Sequence, residues 1–239
     1  MSGHSKWATI HRKKGLIDAA RGKVFQKLAK EIYVAARGTN GDIDMNPSLR
    51  AVVEKAKSSN MPKDNIQKAI DKAIGSLGGE EYESIRYEGY ASGGVAIMID
   101  CLTDNRNRTA MLVRSTLTKH GGNLGTDGSV SYLFKRKGVI EIENNYDFDQ
   151  IMEVAINNDA LDVVDCDESY VIYTNPDDFI RVKDALEKVG VSNFIVSEIT
   201  YVADNLITLD DEKMDKVMNL IEVLEDIDDV QNVYHNMDI

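Results

Sequence analysis

The chain has 239 residues, 43% of them hydrophobic, and a formal net charge of −12. That length suits about two compact units, or three small ones, and no segment approaches the ~20 consecutive apolar residues of a membrane span. The charge is unevenly placed: residues 1–80 hold 15 Lys and Arg against 8 Asp and Glu (net +7), residues 81–140 net +2, and residues 141–239 net −21.

The first stretch, SGHSKWATIHRKKG at residues 2–15, sets Lys6, His11, Arg12, Lys13 and Lys14 around the lone tryptophan, Trp7, with no acid among them. It lacks the apolar run of a secretory signal and leads into a helical pattern, so it reads as part of the folded protein. From about Asp18 to Arg37 the apolar residues Val24, Phe25, Leu28, Ile32 and Ala35/Ala36 recur at helical spacing, and Gly38 stops the pattern. Arg21, Lys23 and Lys27 extend the basic series along this helix. Asn46 and Pro47 open a second helix with Leu49, Val52, Val53 and Ala56 as its buried stripe. Pro62 opens a third, with Ile66, Ala69/Ile70 and Ala73/Ile74, closing on Gly75. Three short amphipathic helices predict a small bundle.

After Gly78-Gly79 the period changes to that of strands. SIRYEGY and GVAIMIDCLT predict a strand pair, RTAMLVRSTLTKHGG a helix ending at Gly121, and SVSYLF a further strand. Then come strand (139–142), helix (148–157), strand (161–164), strand (170–174), helix (176–189) and strand (194–201), a βαββαβ order of the ferredoxin-like kind. The tail predicts strand LITL, a helix over about Asp211–Glu225, and strand VQNVYH. The expected fold class is therefore α+β multidomain. Residues 1–79 form the basic segment and three-helix bundle, residues 80–136 with 202–239 a central α+β domain, and residues 137–201 an inserted, acidic ferredoxin-like domain.

Catalysis has little to stand on. The four histidines have no ligand neighbours at zinc spacing. The acidic runs, such as Asp226, Asp228 and Asp229, read as solvated surface, and HGGNLGTDGS (residues 120–129) reads as a helix-to-strand turn rather than a phosphate loop. No enzymatic activity, cofactor or metal is expected. Cys101 and Cys166 read as buried, reduced thiols in a cytoplasmic protein.

Two stretches resist a purely structural reading. In the first 30 residues eight Lys and Arg face a single acid, Asp18. Such cations neutralise phosphates with release of counterions, and Trp7 either stacks on an unpaired base or packs against a neighbouring unit. In DNRNRT (residues 104–109) Asp104 or Asn105 suits a helix N-cap. Arg106 and Arg108 do not suit a first turn, where the helix dipole disfavours cations. They point to an anionic partner such as a phosphate backbone, or else to salt bridges with acids such as Glu88 or Asp104. The βαββαβ segment lacks the aromatics of an RNA-recognition motif and suits protein contacts better.

The ordered motifs GHSKWATI, RGKVFQKLAKEIYVAAR, NPSLR, NMPKDNI, RYEGY, GGVAI, CLTDNRNRT and HGGNLGTDGSVSYLF resemble the YebC/PmpR family. The match is dense over residues 2–140. One departure is Ala20, where many relatives carry a basic residue. The resemblance implies three domains and no enzymatic activity. It also implies a DNA-binding transcriptional regulator or, as in the related mitochondrial translational activator of cytochrome c oxidase, a translation factor acting at the ribosome. The expected partner is nucleic acid: DNA, or ribosomal RNA or tRNA. Protein contacts through the acidic half are also expected, and no membrane partner is expected. The bundle's exposed lysines at 55, 57, 63, 68 and 72 position on phosphates and read no sequence.

Overall fold

The computed structural model describes residues 18–75, 81–166 and 168–238, with side chains from residue 22 onward. Helix α1 (Asp18–Ala36) buries Leu28, Ile32, Tyr33 and Ala36. Leu28, Ile32 and Ala36 lie four residues apart and Tyr33 three before Ala36, so they share one face. Helix α2 (Pro47–Ser58) starts where Asn46 accepts from the Leu49 amide at 3.0 Å and donates to the Ala35 carbonyl at 2.8 Å. One side chain thus caps α2 and ties it to the end of α1. Helix α3 (Lys63–Gly75) begins one residue after Pro62 and buries Ile66, Ala69, Ile70 and Ala73, while Ile74 stays exposed. The three helices share one apolar cluster around Ile32, Leu49, Val53 and Ile70.

Strands β1 (Glu83–Tyr90) and β2 (Ala96–Thr103) form an antiparallel hairpin closed by a short turn in which Gly93 and Gly94 take positive φ. Helix α4 (Arg106–Lys119) follows, then the two-residue strand β3 (Asn123–Leu124) against β1. The chain next builds β4 (Phe134–Glu143), α5 (Phe148–Asn157), β5 (Ala160–Cys166), β6 (Ser169–Thr174), α6 (Phe179–Lys188) and β7 (Val196–Ala203). These strands make an antiparallel sheet in the order β5-β6-β4-β7. Finally β8 (Ile207–Thr208), α7 (Asp211–Glu225), β9 (Val230–His235) and β10 (Met237–Asp238) return the chain to the first sheet, where β9 pairs with β2 in the order β3-β1-β2-β9. The class is mixed α+β.

Helices α4 and α7 cover one face of the first sheet, burying Ile97, Ile99, Val113, Leu117, Leu220 and Leu224. Helices α5 and α6 cover the second sheet over Ile140, Ile142, Ile151, Ile172, Val182 and Leu186. The two sheets meet through Phe134, which packs with Ala96, Met98, Val130, Tyr201 and Tyr234. Arg86 reinforces this junction: it forms a two-toothed ion pair with Asp100 (2.7 and 3.0 Å) and lies 4.5 Å from the Tyr201 ring centroid.

Three sequence expectations shift. Residues 131–133 form a 3-10 turn, and β4 then runs unbroken across Lys135, Arg136 and Lys137. The sequence pattern gives separate strands on either side of these cations, but Lys135 and Lys137 both pair with Asp204 and the backbone stays in the sheet. Helix α6 starts at Phe179, because residues 176–178 form a turn held by Asn175 and Arg181 on the Asp178 carboxylate. The tail's first strand shortens to two residues, paired in parallel with β10.

Candidate nucleic-acid interface

Lys23, Lys27 and Lys30 stand four and three residues apart on α1 and so form one row. That row meets the end of α7 and the turn leading to β9. Lys23 pairs with Asp226 at 2.7 Å, and Lys27 donates to the Glu225 carbonyl at 2.9 Å. Lys30 donates to the Asp228 carbonyl at 2.9 Å and to Asp229 Oδ1 at 3.1 Å. Unpaired carbonyls at a helix C-terminus carry the negative end of the helix dipole, so cations are favourable here even without carboxylates.

Asp229 is the hub of this contact and is 4% exposed. Its Oδ2 accepts from Arg108 at 2.7 Å, from the Thr109 hydroxyl at 2.8 Å and from the Thr103 hydroxyl at 3.3 Å. Burial pushes its carboxyl pKa up, but the bonds from Arg108, Thr109 and Lys30 outweigh that, and the net shift is downward. The reading of Asp229 as solvated surface is therefore corrected. The turn folds back after α7, with the Val230 amide on the Ile227 carbonyl at 3.0 Å, and carries this one acid inward. Asp226 and Asp228 remain exposed, as expected.

The start of α4 stands on the other side of Asp229. Asn105 caps the helix, accepting from the Arg108 amide at 3.0 Å. Arg108 bridges Asp104 and Asp229, both at 2.7 Å, so its guanidinium is held within the chain. Arg106 is exposed and, among the described residues, has no ionic partner; its carbonyl accepts from the Tyr87 hydroxyl at 3.3 Å. The two stretches singled out in the sequence thus come together: Lys23, Lys27 and Arg108 border one turn, and Arg106 lies two residues from Arg108 in the first turn of α4. Lys6, Trp7, His11, Arg12, Lys13 and Lys14 lie outside the described residues, as does the side chain of Arg21. Pattern reading missed Lys30 and Asp229. Lys30 continues the α1 row at the spacing of a helical face, a signal present in the sequence, whereas nothing local separates Asp229 from its acidic neighbours.

Between the bundle and this turn lies a cleft of about 370 Å³, bordered by Lys27, Tyr33, Lys72, Tyr82, Asp226 and Asp228. Lys30 sits 5.7 Å from the Tyr82 ring and Lys72 sits 5.6 Å from that of Tyr33. On the outer faces of α2 and α3, Lys57, Lys63 and Lys68 are exposed and unpaired among the described residues, while Lys55 pairs with Glu31 at 3.0 Å.

Glu88, considered above as a partner for Arg106 or Arg108, has another task. It is buried, and its carboxylate accepts from the amides of Gly128, Val130 and Ser131 at 2.9, 2.7 and 2.8 Å. Burial raises its pKa, and these backbone donors more than reverse the effect. The Gly-rich segment 120–129 is accordingly a turn organised by one carboxylate. Among the described residues, no group of three or more His, Cys, Asp or Glu is placed to hold a metal. No helix there is long and apolar enough to cross a membrane.

Comparison with known proteins fits this geometry. A "probable transcriptional regulatory protein" of Geobacillus kaustophilus is 53% identical over 241 residues, covering 100% of this chain and 98% of the relative. One of Geobacter sulfurreducens is 52% identical over 239 residues, covering 100% and 96%. The crystal structure of a conserved hypothetical protein of Aquifex aeolicus superposes with a TM-score of 0.79 at 47% identity, covering 92% of this chain and 91% of that one. Residues 5–76 match the family described as "TACO1/YebC protein N-terminal domain", and residues 82–237 that described as "TACO1/YebC second and third domain". The chain belongs to the TACO1/YebC family.

Proposed function

We propose that this protein is a non-enzymatic, nucleic-acid-binding regulator of gene expression in the cytoplasm. In this reading a basic leading segment and three-helix bundle meet the polyanion, a central α+β unit carries Arg106 and Arg108, and an inserted ferredoxin-like unit holds the acidic charge away from it. The observation that carries it is the convergence of the α1 lysine row and the start of α4 around residues 225–229. Lys30 and Arg108 anchor the two segments on Asp229, and around that anchor Lys23 and Lys27 are held by more exposed contacts, with Arg106 left without an ionic partner among the described residues. The names of the relatives support transcription as the setting.

A translational setting has one observation in its favour. Two bundle side chains suited to reading base edges are engaged elsewhere: Gln67 donates to Asp71 at 2.8 Å, and Arg50 to the carbonyls of Ile43 and Asp44. What faces outward is lysine, which grips phosphates without reading sequence. Sedimentation of a cell lysate separates the two settings. Discrete footprints on promoter DNA, with no ribosomal co-migration, support the transcriptional reading. Co-migration with ribosomes that survives DNase but not RNase overturns it in favour of the translational one.

A further inference from the structure

The lysine row poses a problem for any phosphate-binding role, because the chain's own turn already occupies it. We infer that residues 225–228 act as a built-in stand-in for a polyanion. They hold Lys23 and Lys27 in the resting protein and give way to a phosphate backbone, while Lys30 on Asp229 serves as the pivot. This inference rests on the nucleic-acid reading above and adds its regulation.

The row is graded in burial. The Lys23 and Asp226 side chains are 46% and 69% exposed, whereas those of Lys30 and Asp229 are 22% and 6% exposed. An exposed pair contributes little, and separating a buried one costs several times more. The outer contact therefore opens first. Lys27 is held by a main-chain carbonyl of the last α7 turn, a partial charge that a full phosphate charge outcompetes. Lys23 and Lys27 are about 6 Å apart along the helix axis, so both face the same stretch of strand once released.

Packing permits the motion. The bundle core around Ile32 and Leu49 and the sheet core around Leu220 and Leu224 are separate clusters, and the cleft lies between the bundle and the turn. Swinging about Lys30 breaks the outer polar contacts first, while the edge-on pair of Tyr33 and Tyr82, 5.7 Å apart, lies beside Lys30 at the pivot. Contacts of this polar kind within a chain leave relative motion as the expected behaviour.

The test compares Asp226→Asn with Asp184→Asn, an equal charge change on an exposed position of α6. The probes are a fluorescently labelled 20-nucleotide single strand and a 20-base-pair duplex, each as DNA and as RNA. Asp226→Asn is expected to tighten binding about two- to fivefold at low salt, and Asp184→Asn to change it by less than half of that. In parallel, spin labels at Ser58→Cys and Asp215→Cys report the distance between α2 and α7, which is expected to lengthen on saturation with the tighter probe. If wild-type protein binds none of the four probes, the nucleic-acid reading fails and the inference with it. If it binds, but Asp226→Asn only matches Asp184→Asn or the label distance stays fixed, the inference alone is overturned.

Discussion

Lys30 and Arg108 hold opposite oxygens of the same buried carboxylate: Lys30 takes Asp229 Oδ1 at 3.1 Å and Arg108 takes Oδ2 at 2.7 Å. Helices α1 and α4, far apart in sequence, are thereby locked to the turn between α7 and β9.

Loss of that carboxylate is expected to be severe. Asp229→Ala removes the carboxylate shared by Arg108, Lys30 and two hydroxyls, leaving Arg108 with Asp104 and Lys30 with the Asp228 carbonyl. The expected destabilisation is about 3 kcal/mol, toward the low end for a broken buried pair because Arg108 is partly solvated. Urea unfolding measures it. A loss below about 1 kcal/mol would mean that water replaces the acceptor.

The same site gives the pH response a direction. The Asp229 and Glu88 carboxyls titrate below their usual range in the folded protein. A depressed carboxyl contributes stability that is complete above its unfolded pKa, near 4, and is lost as pH falls through the lower folded value. Stability is therefore expected to decline below about pH 4, and Asp229→Asn to flatten that decline. Unfolding midpoints collected from pH 7 down to pH 2.5 test this, and parallel curves for the two proteins would refute it.

Glu88→Ala removes the acceptor of three amides in the segment 128–131. The expected loss is about 2 kcal/mol, since the exposed Gly128 amide can turn to water and the buried Val130 amide cannot. Hydrogen exchange should accelerate at Val130 and Ser131 while the amides pairing β1 with β2 keep their protection. Uniform acceleration would instead indicate global unfolding.

Cys101 is 1% exposed, and burial followed by the charges of Asp229 and Asp100 pushes its thiol up to about 12. It is expected to resist alkylation at pH 8 in the native protein and to react at once in denaturant. Rapid native labelling at Cys101, identified by mass spectrometry, would contradict the packing of β2.

Much of the fold was legible because its elements carry local signals. Helix α5, helix α7 and strand β9 fall at the expected bounds, with Asp147 and Asp210 capping the two helices. Asn46 and Asn105 cap as their positions suggest. The continuity of β4 across residues 135–137 was not legible, because three consecutive cations break an alternating pattern and only tertiary partners, Asp204 for Lys135 and Lys137 and the neighbouring strand for the backbone, account for it. At the candidate site the oddity of Arg108 was visible as a cation in a first turn, but its reason, an acid 121 residues away, was not. Asp229 was illegible for the same cause: burial of one acid among several is decided by tertiary packing, which leaves no mark on local composition.

The central claim, that the α1 row contacts phosphates, is tested most directly by a salt titration of nucleic-acid affinity. For Lys23→Ala/Lys27→Ala against wild type, the plot of log Kobs against log salt concentration is expected to become shallower by about two units. An unchanged slope would contradict the account and leave the row with structural work alone.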